Sequence, residues 1–113
     1  MHEMSLAESV LQIIEESAHE QGFRQVNTVW LEIGELSGVE VDAMRFSFEV
    51  VVRDSLAEGA RLEIVRTAGQ GQCTDCGRTV PIRQLFDACP ECGECHVQPT
   101  RGLEMRVKEL EVE

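Results

Sequence analysis

The sequence lacks three features that mark common classes of protein. It contains no run of about twenty apolar residues, so it predicts no membrane-spanning helix. Its first residues include neither a basic nor an apolar segment of the secretory type, and we therefore expect a cytoplasmic protein. Only 10 lysine and arginine residues stand against 21 aspartate and glutamate residues, a net charge of −11, which disfavours nucleic acid as a partner.

Cysteine is also absent from most of the chain, because all five cysteines lie between Cys73 and Cys95. A reducing compartment disfavours disulfides, so clustered cysteines there indicate a metal site. Four of the five belong to two Cys-x-x-Cys-Gly motifs, Cys73–Gly77 and Cys89–Gly93. The spacing lets both sulfurs of a motif reach one ion, and the glycine supplies the positive φ that such a turn needs.

Two such motifs predict a zinc-ribbon-like site of four thiolates, Cys73, Cys76, Cys89 and Cys92. A four-cysteine zinc site has no vacant coordination position, so it is structural rather than catalytic. A pair of redox-active dithiols is the alternative, and it requires each motif to open a helix. Cys95 and His96 are predicted to be partly exposed, although either could exchange into the site.

The remaining sequence predicts an α+β fold. Helical periodicity indicates two helices, one over 5–21 with Ser5 as its capping residue and one over about 41–55. Alternating apolar residues indicate three strands, over 26–34, 61–67 and 103–112. We expect a small antiparallel sheet of about three strands with two helices, into which the cysteine module is inserted.

This arrangement predicts two domains. Residues 1–69 and 99–113 form the α/β domain, and residues 70–98 form the zinc-binding domain. The polar residues 69–72 are predicted to be a flexible link between them.

The first residues can chelate a metal ion. The Met1 amine, the His2 amide nitrogen and the His2 imidazole can wrap one ion in fused small rings, an arrangement that favours Ni²⁺ or Cu²⁺. Glu3 adds a negative charge and another amide. A histidine at position 2 also occurs by chance, so a terminus that binds no metal is the alternative.

Five motifs in order make the whole chain similar to one known family. They are the initial Met-His-Glu, Ile-Gly-Glu-Leu-Ser at 33–37, the two cysteine motifs, and Glu-Leu-Glu-Val-Glu at 109–113. The chain resembles the HypA/HybF family of hydrogenase-maturation nickel metallochaperones, which have a nickel domain and an inserted four-cysteine zinc domain.

The resemblance implies Ni(II) bound through the Met1 amine, His2 and the backbone around Glu3, with Glu40 or His96 as a further ligand. It implies Zn(II) held by the four cysteines as a structural ion. It also implies delivery of nickel rather than catalysis, with two partners: a GTPase accessory protein and the hydrogenase large-subunit precursor. We expect a monomer or a weak homodimer.

The competing interpretation is a zinc-ribbon adaptor that binds proteins or nucleic acid and has no nickel chemistry. A nucleic-acid ribbon needs a basic stripe, whereas residues 70–98 carry only Arg78 and Arg83. A metalloenzyme is disfavoured as well, because the sequence offers no open zinc site and no nucleophile–base set.

Overall fold

The computed structural model describes residues 3–113, which form two helices and six strands. In chain order the elements are α1 (Glu3–Gln21), β1 (Val26–Gly34), α2 (Val41–Val51), β2 (Arg61–Thr67), β3 (Gln70–Cys73), β4 (Thr79–Pro81), β5 (Val97–Arg101) and β6 (Met105–Val112). The predicted α+β class, with two helices, a small three-stranded sheet and a cysteine module, is confirmed.

Helix α1 begins earlier than the sequence predicts. Glu3 is already helical, so Ser5 lies inside the helix, where its carbonyl accepts a hydrogen bond from the Ser9 hydroxyl at 3.1 Å. The prediction that Ser5 caps the helix is wrong. The apolar stripe is as expected, since its buried members repeat at helical spacing: Ala7, Val10 and Ile14.

Helix α2 starts at the predicted residue and ends four residues sooner, at Val51 rather than 55. Glu40 is its N-cap, and Met44 and Phe48 are buried. Val52 ends the helix as C-cap, and Asp54 then takes a left-handed conformation with φ of 61°. Consecutive β-branched residues weaken helical preference here, and the left-handed residue cannot continue a right-handed helix.

The first sheet has the order β2-β1-β6. The Glu113 amide donates to the Gln25 carbonyl at 2.8 Å, so β6 runs antiparallel to β1 as predicted. The Glu35 amide, just after β1, donates to the carbonyl of Thr67 at the end of β2, also at 2.8 Å. The carboxyl ends of β1 and β2 therefore adjoin, and these two strands run parallel because α2 crosses between them. The prediction of a wholly antiparallel sheet is wrong for this pair.

The second sheet is antiparallel, with the order β4-β3-β5. Its central strand includes most of the segment that the sequence predicts as a flexible link, so that prediction is wrong. Gly71 is buried opposite Val80 and Pro99, and a Cβ there would lie 2.4 Å from the Val97 Cγ1 atom. The polar composition of residues 69–72 suggested a linker. In the structure, the glycine at 71 instead allows β5 to approach closely.

The chain divides into two compact units. One contains the residues up to Leu31, Val39–Val65 and Arg106–Glu113, and the other contains Glu32–Gly38 and Arg66–Met105. In the first unit α1 packs against α2. Its fully buried side chains include Val10, Ile14, Val26, Val29, Leu31 and Met44. Neither helix in residues 3–113 has the combination of length and apolar character needed to cross a lipid bilayer.

Candidate metal centres

Each cysteine motif forms the same tight turn. The Gly77 amide donates to the Cys73 carbonyl and the Gly93 amide donates to the Cys89 carbonyl, both at 2.8 Å. The two glycines have φ of 74° and 81°, as the spacing predicts. An added Cβ would meet nothing within 4 Å at either position, so the backbone conformation alone favours glycine.

The two turns bring four sulfur atoms together. The Cys73 and Cys92 sulfurs lie 3.6 Å apart, the Cys76 and Cys89 sulfurs lie 3.8 Å apart, and all four fall within 4.8 Å of one another. Tetrahedral zinc with Zn–S bonds of about 2.3 Å requires sulfurs about 3.8 Å apart. The four thiols therefore fit Zn²⁺ without rearrangement of the backbone.

The thiols influence one another's protonation. A hydrogen bond from the Cys92 amide has the largest effect on the Cys89 thiol, and the Glu91 amide donates a weaker one. These hydrogen bonds lower the pKa of Cys89 to about 7, although desolvation acts to raise it. A hydrogen bond from the Glu94 amide acts to lower the pKa of Cys92, but desolvation and the neighbouring thiols outweigh it and raise that pKa to about 12. Four thiols at this separation resist joint ionisation, and a divalent cation would remove that resistance.

The sulfur cluster lies partly in an apolar core. Cys73 and Cys89 are buried, whereas Cys76 and Cys92 are exposed. The buried pair packs in one cluster with Leu36, Val80 and Ile82. Leu36 follows β1, far from the cysteines in sequence, and our sequence reasoning missed it. A large apolar residue in a loop bracketed by glycines is the signal that could have identified it.

Two further polar contacts lie in this unit. Arg78, which follows the first cysteine turn, forms an ion pair at 2.9 Å with Glu91 of the second turn. The Gly69 amide donates to the Glu35 carboxylate at 3.1 Å. The glycine at 69 is required by crowding, because a Cβ there would lie 2.4 Å from the Ile82 carbonyl oxygen.

Cys95 and His96 are exposed, as predicted, and the four-sulfur cluster contains neither. His96 belongs to a second group with Asp75 and Glu94, whose potential ligand atoms lie within 4.8 Å of one another. Its Nδ1 atom is 2.5 Å from the Asp75 carboxylate. The hydrogen bond to Asp75, and then the charge of that carboxylate, raise the pKa of His96 above its usual value of 6.5.

Of the residues expected to bind nickel, Met1 and His2 lie outside the described residues. The structure brings Glu3 and Glu40 together, because the Glu40 amide donates to the Glu3 carboxylate at 3.2 Å. The Glu40 carboxylate caps α2 by accepting hydrogen bonds from the Asp42 and Ala43 amides, at 3.2 and 2.6 Å. Glu40 thus has a structural role that the sequence did not indicate.

The fold and the cysteine site together define a small metal-binding protein in which an α/β unit accompanies a four-cysteine zinc module. Residues 1–112 match the family described as "Hydrogenase/urease nickel incorporation, metallochaperone, hypA". The chain belongs to this HypA family, and the predicted class of nickel metallochaperone for hydrogenase maturation is confirmed. Nickel is the cargo of the family, and the four-cysteine cluster has the ligands and spacing that suit a structural zinc ion.

Named relatives and solved structures agree with this assignment. The chain is 59% identical to the hydrogenase maturation factor HypA of Albidiferax ferrireducens and 56% identical to that of Azotobacter vinelandii, with full coverage of both chains in each comparison. The solution structure of the nickel metallochaperone HypA from Helicobacter pylori superposes with a TM-score of 0.73 at 31% identity. That comparison covers 99% of this chain and 97% of the other. Nothing in these comparisons favours the adaptor interpretation.

Proposed function

We propose that this protein binds Ni²⁺ at its N-terminus and delivers it for maturation of a nickel–iron hydrogenase. The proposed ligands are the Met1 amine, the His2 imidazole and the backbone around Glu3, with Glu40 or His96 as a further ligand. The observation that carries the proposal is the contact between the Glu40 amide and the Glu3 carboxylate at 3.2 Å. It joins residue 3, which adjoins Met1 and His2 in the sequence, to the backbone of Glu40, one of the two candidates for the further ligand.

The charge of this region supports binding of a cation. Glu3 lies in the first turn of α1, and Glu40 precedes α2. Both residues add negative charge to this region, which favours a bound cation, and the Glu40 side chain has lone pairs left after capping two amides. A site of few ligands near a helix start suits an ion that must be released again.

Zinc has a different role in the proposal. The ligands Cys73, Cys76, Cys89 and Cys92 would hold it with no open position, so zinc would maintain the fold of the module and would not activate water. We propose residues 70–98 as the zinc-binding domain and residues 1–69 with 99–113 as the nickel-binding domain.

The protein acts in this proposal by transfer and not by catalysis. Its partners would be a GTPase accessory protein and the hydrogenase large-subunit precursor, which receives the nickel. A net charge of −11 would favour docking on basic partner surfaces. We place the process in the cytoplasm, where the reducing poise keeps thiols available for zinc.

Nickel titration of the untagged, zinc-loaded protein tests the proposal. Calorimetry and absorbance should show a Ni²⁺ ion bound with a square-planar spectrum, and His2→Ala should lose this event while keeping its zinc. His19→Ala is the matched control, because His19 lies on the exposed face of α1. Retention of the square-planar event in His2→Ala would exclude the N-terminal site.

Glu40→Gln refines the ligand set. The oxygen of the glutamine side chain can still accept one of the two hydrogen bonds at the start of α2, and the amide is a poorer nickel ligand than a carboxylate. Weaker nickel binding with unchanged stability would identify Glu40 as a ligand. Unchanged nickel binding would restrict its role to the helix cap.

A further inference from the structure

A second group of potential metal ligands lies on the zinc module, apart from the four thiols. It consists of Asp75, Glu94 and His96, whose ligand atoms fall within 4.8 Å of one another. All three side chains are exposed. The group combines one imidazole with two carboxylates, so its chemistry differs from that of the thiolate cluster.

We propose that Asp75, Glu94 and His96 form a second, exchangeable binding site for a first-row divalent metal ion. The proposal assigns His96 to this group and not to the N-terminal nickel site, for which it was one of two alternative further ligands. It does not otherwise depend on that site, because Met1 and His2 are different residues with a different ligand chemistry.

The three donors come from two segments of the module, residue 75 and residues 94–96, and its backbone holds these segments together. The Thr74 amide and hydroxyl both donate to the His96 carbonyl, at 3.0 and 3.1 Å. These hydrogen bonds hold His96 close to Asp75, the next residue after Thr74. The Cys89 amide donates to the Glu94 carbonyl at 2.8 Å. The folded turns thus hold the backbone of the three residues close together.

Charge is the second argument. Asp75 and Glu94 are held near each other, and within residues 3–113 neither has an ion pair with arginine or lysine. Other acids in the module do find such a partner, since Glu91 pairs with Arg78 at 2.9 Å. A bound cation would neutralise the negative charge of the two carboxylates. His96 can neutralise part of that charge only when its imidazole is protonated.

A metal ion could replace the proton that His96 and Asp75 share in their hydrogen bond. Nδ1 of His96 and a carboxylate oxygen of Asp75 face each other at 2.5 Å across that proton. Metal bonds of about 2.1 Å at right angles would need these atoms about 3 Å apart. Exposed side chains can make this adjustment by rotation, without disturbance of the sulfur core.

The donor set also defines the class of ion. Imidazole suits nickel, cobalt, copper and zinc, and carboxylates suit harder ions, so the mixture favours borderline divalent metals. Three protein ligands leave coordination positions open, in contrast to the closed four-thiolate site. An ion held this way can exchange with solvent or with a partner's ligands.

The test uses zinc-loaded, full-length His2→Ala protein, which lacks the proposed N-terminal site. Titration with Ni²⁺ and with Co²⁺ should show one further ion per chain, with no loss of zinc. Bound Co²⁺ should give weak d–d bands and no intense thiolate charge-transfer band. Introducing His96→Ala or Asp75→Asn on this background should weaken binding by about tenfold or more.

Two control variants distinguish this site from its neighbours. Glu91→Gln removes an acid from the same surface that lies outside the group, and Cys95→Ser removes the exposed thiol between two of the proposed ligands. Both should bind the ion as the parent does. If Cys95→Ser abolished binding, the thiol and not this group would be the site.

Paramagnetic broadening gives a readout that needs no substitution within the group. Ni²⁺ or Co²⁺ should broaden the His96 ring signals of the His2→Ala protein before those of His19. Absence of a further ion, binding that survives both His96→Ala and Asp75→Asn, or a thiolate band with zinc release would each overturn the proposal. Failure here would leave the N-terminal nickel site unaffected, since wild-type protein tests that site separately.

Discussion

The Glu40 main-chain amide donates a hydrogen bond to the Glu3 carboxylate at 3.2 Å, across 37 residues of sequence. The contact joins the first turn of α1 to the residue that caps α2. Both helix starts therefore carry an acidic side chain, which the positive end of a helix dipole stabilises. The region proposed to hold nickel is thus organised by two helix termini.

Replacing Glu40 by alanine should destabilise the protein. The change removes the carboxylate that accepts hydrogen bonds from Asp42 and Ala43, and loss of an N-cap costs about 1 kcal/mol. We expect urea denaturation, followed by helical circular dichroism on zinc-loaded protein, to show this loss. Glu40→Asp, which can also cap, should unfold close to the wild type. An unchanged midpoint in Glu40→Ala would contradict the capping role.

Replacing Gly34 by alanine should be far more damaging than the same change at Gly38. A Cβ at Gly34 would lie 2.1 Å from the Gly102 carbonyl oxygen, and backbone must move to accept it. We expect a loss of about 3 kcal/mol or more, at the upper end of overpacking costs. Gly38 has φ of 77° with nothing within 4 Å, so only its left-handed conformation is strained, at about 1 kcal/mol. Thermal unfolding of the two variants measures the difference, and equal midpoints would exclude this crowding.

The buried and exposed zinc ligands should differ in their response to serine. Cys73→Ser loses a ligand and also places a hydroxyl in the apolar cluster around Leu36, whereas Cys92→Ser loses only an exposed ligand. We expect the buried variant to be less stable by about 1–3 kcal/mol, the cost of burying an unpaired polar group. Urea denaturation of the two variants measures the difference in stability, and zinc content with release to a chelator measures the loss of the ligand. Cys95→Ser should keep its zinc, and a loss there would show that the ligand assignment is wrong.

The ion pair of His96 with Asp75 should depend on pH with a defined sign. The pKa of His96 is raised by its hydrogen bond to Asp75, then by that residue's charge, with a smaller contribution from Glu94. Its stabilisation is therefore complete below the unfolded value of about 6.5 and is lost as the pH rises through the folded value. NMR titration of zinc-loaded protein should give a His96 pKa above 6.5. Asp75→Asn should lower it and Glu91→Gln should not, and a His96 pKa at or below 6.5 would contradict the contact.

Local patterns in the sequence were sufficient for much of the architecture. The strands over 26–34 and 61–67 have the predicted bounds, because alternation of apolar and polar residues is a property of the strand itself. The cysteine turns are also local, since spacing and the following glycine define them. The errors concern segments whose structure depends on distant neighbours. Gln70–Cys73 is a central strand because two other strands flank it, although its composition is typical of a linker.

The candidate sites divide in the same way. Residue type and spacing identified four thiols as one zinc site, because each pair lies within a single turn of chain. Residue type and spacing did not predict which distant residues Leu36 would contact, namely two of those cysteines, or that Asp75, Glu94 and His96 would meet on one surface. Glu40 was expected only as a nickel ligand, and its role as helix cap appeared once the start of α2 was in place.

The sequence by itself determined the family, the helix and strand preferences and the chemistry of the cysteine motifs, because these depend on residues close together in the chain. The tertiary structure decided which distant residues meet: the parallel pairing of β1 with β2, the contact of Glu3 with Glu40, and the second group of metal ligands. These contacts join parts of the chain that lie 19 to 37 residues apart, such as Asp75 with Glu94 and Glu3 with Glu40. Their formation depends on packing of whole elements, which no short stretch of sequence encodes.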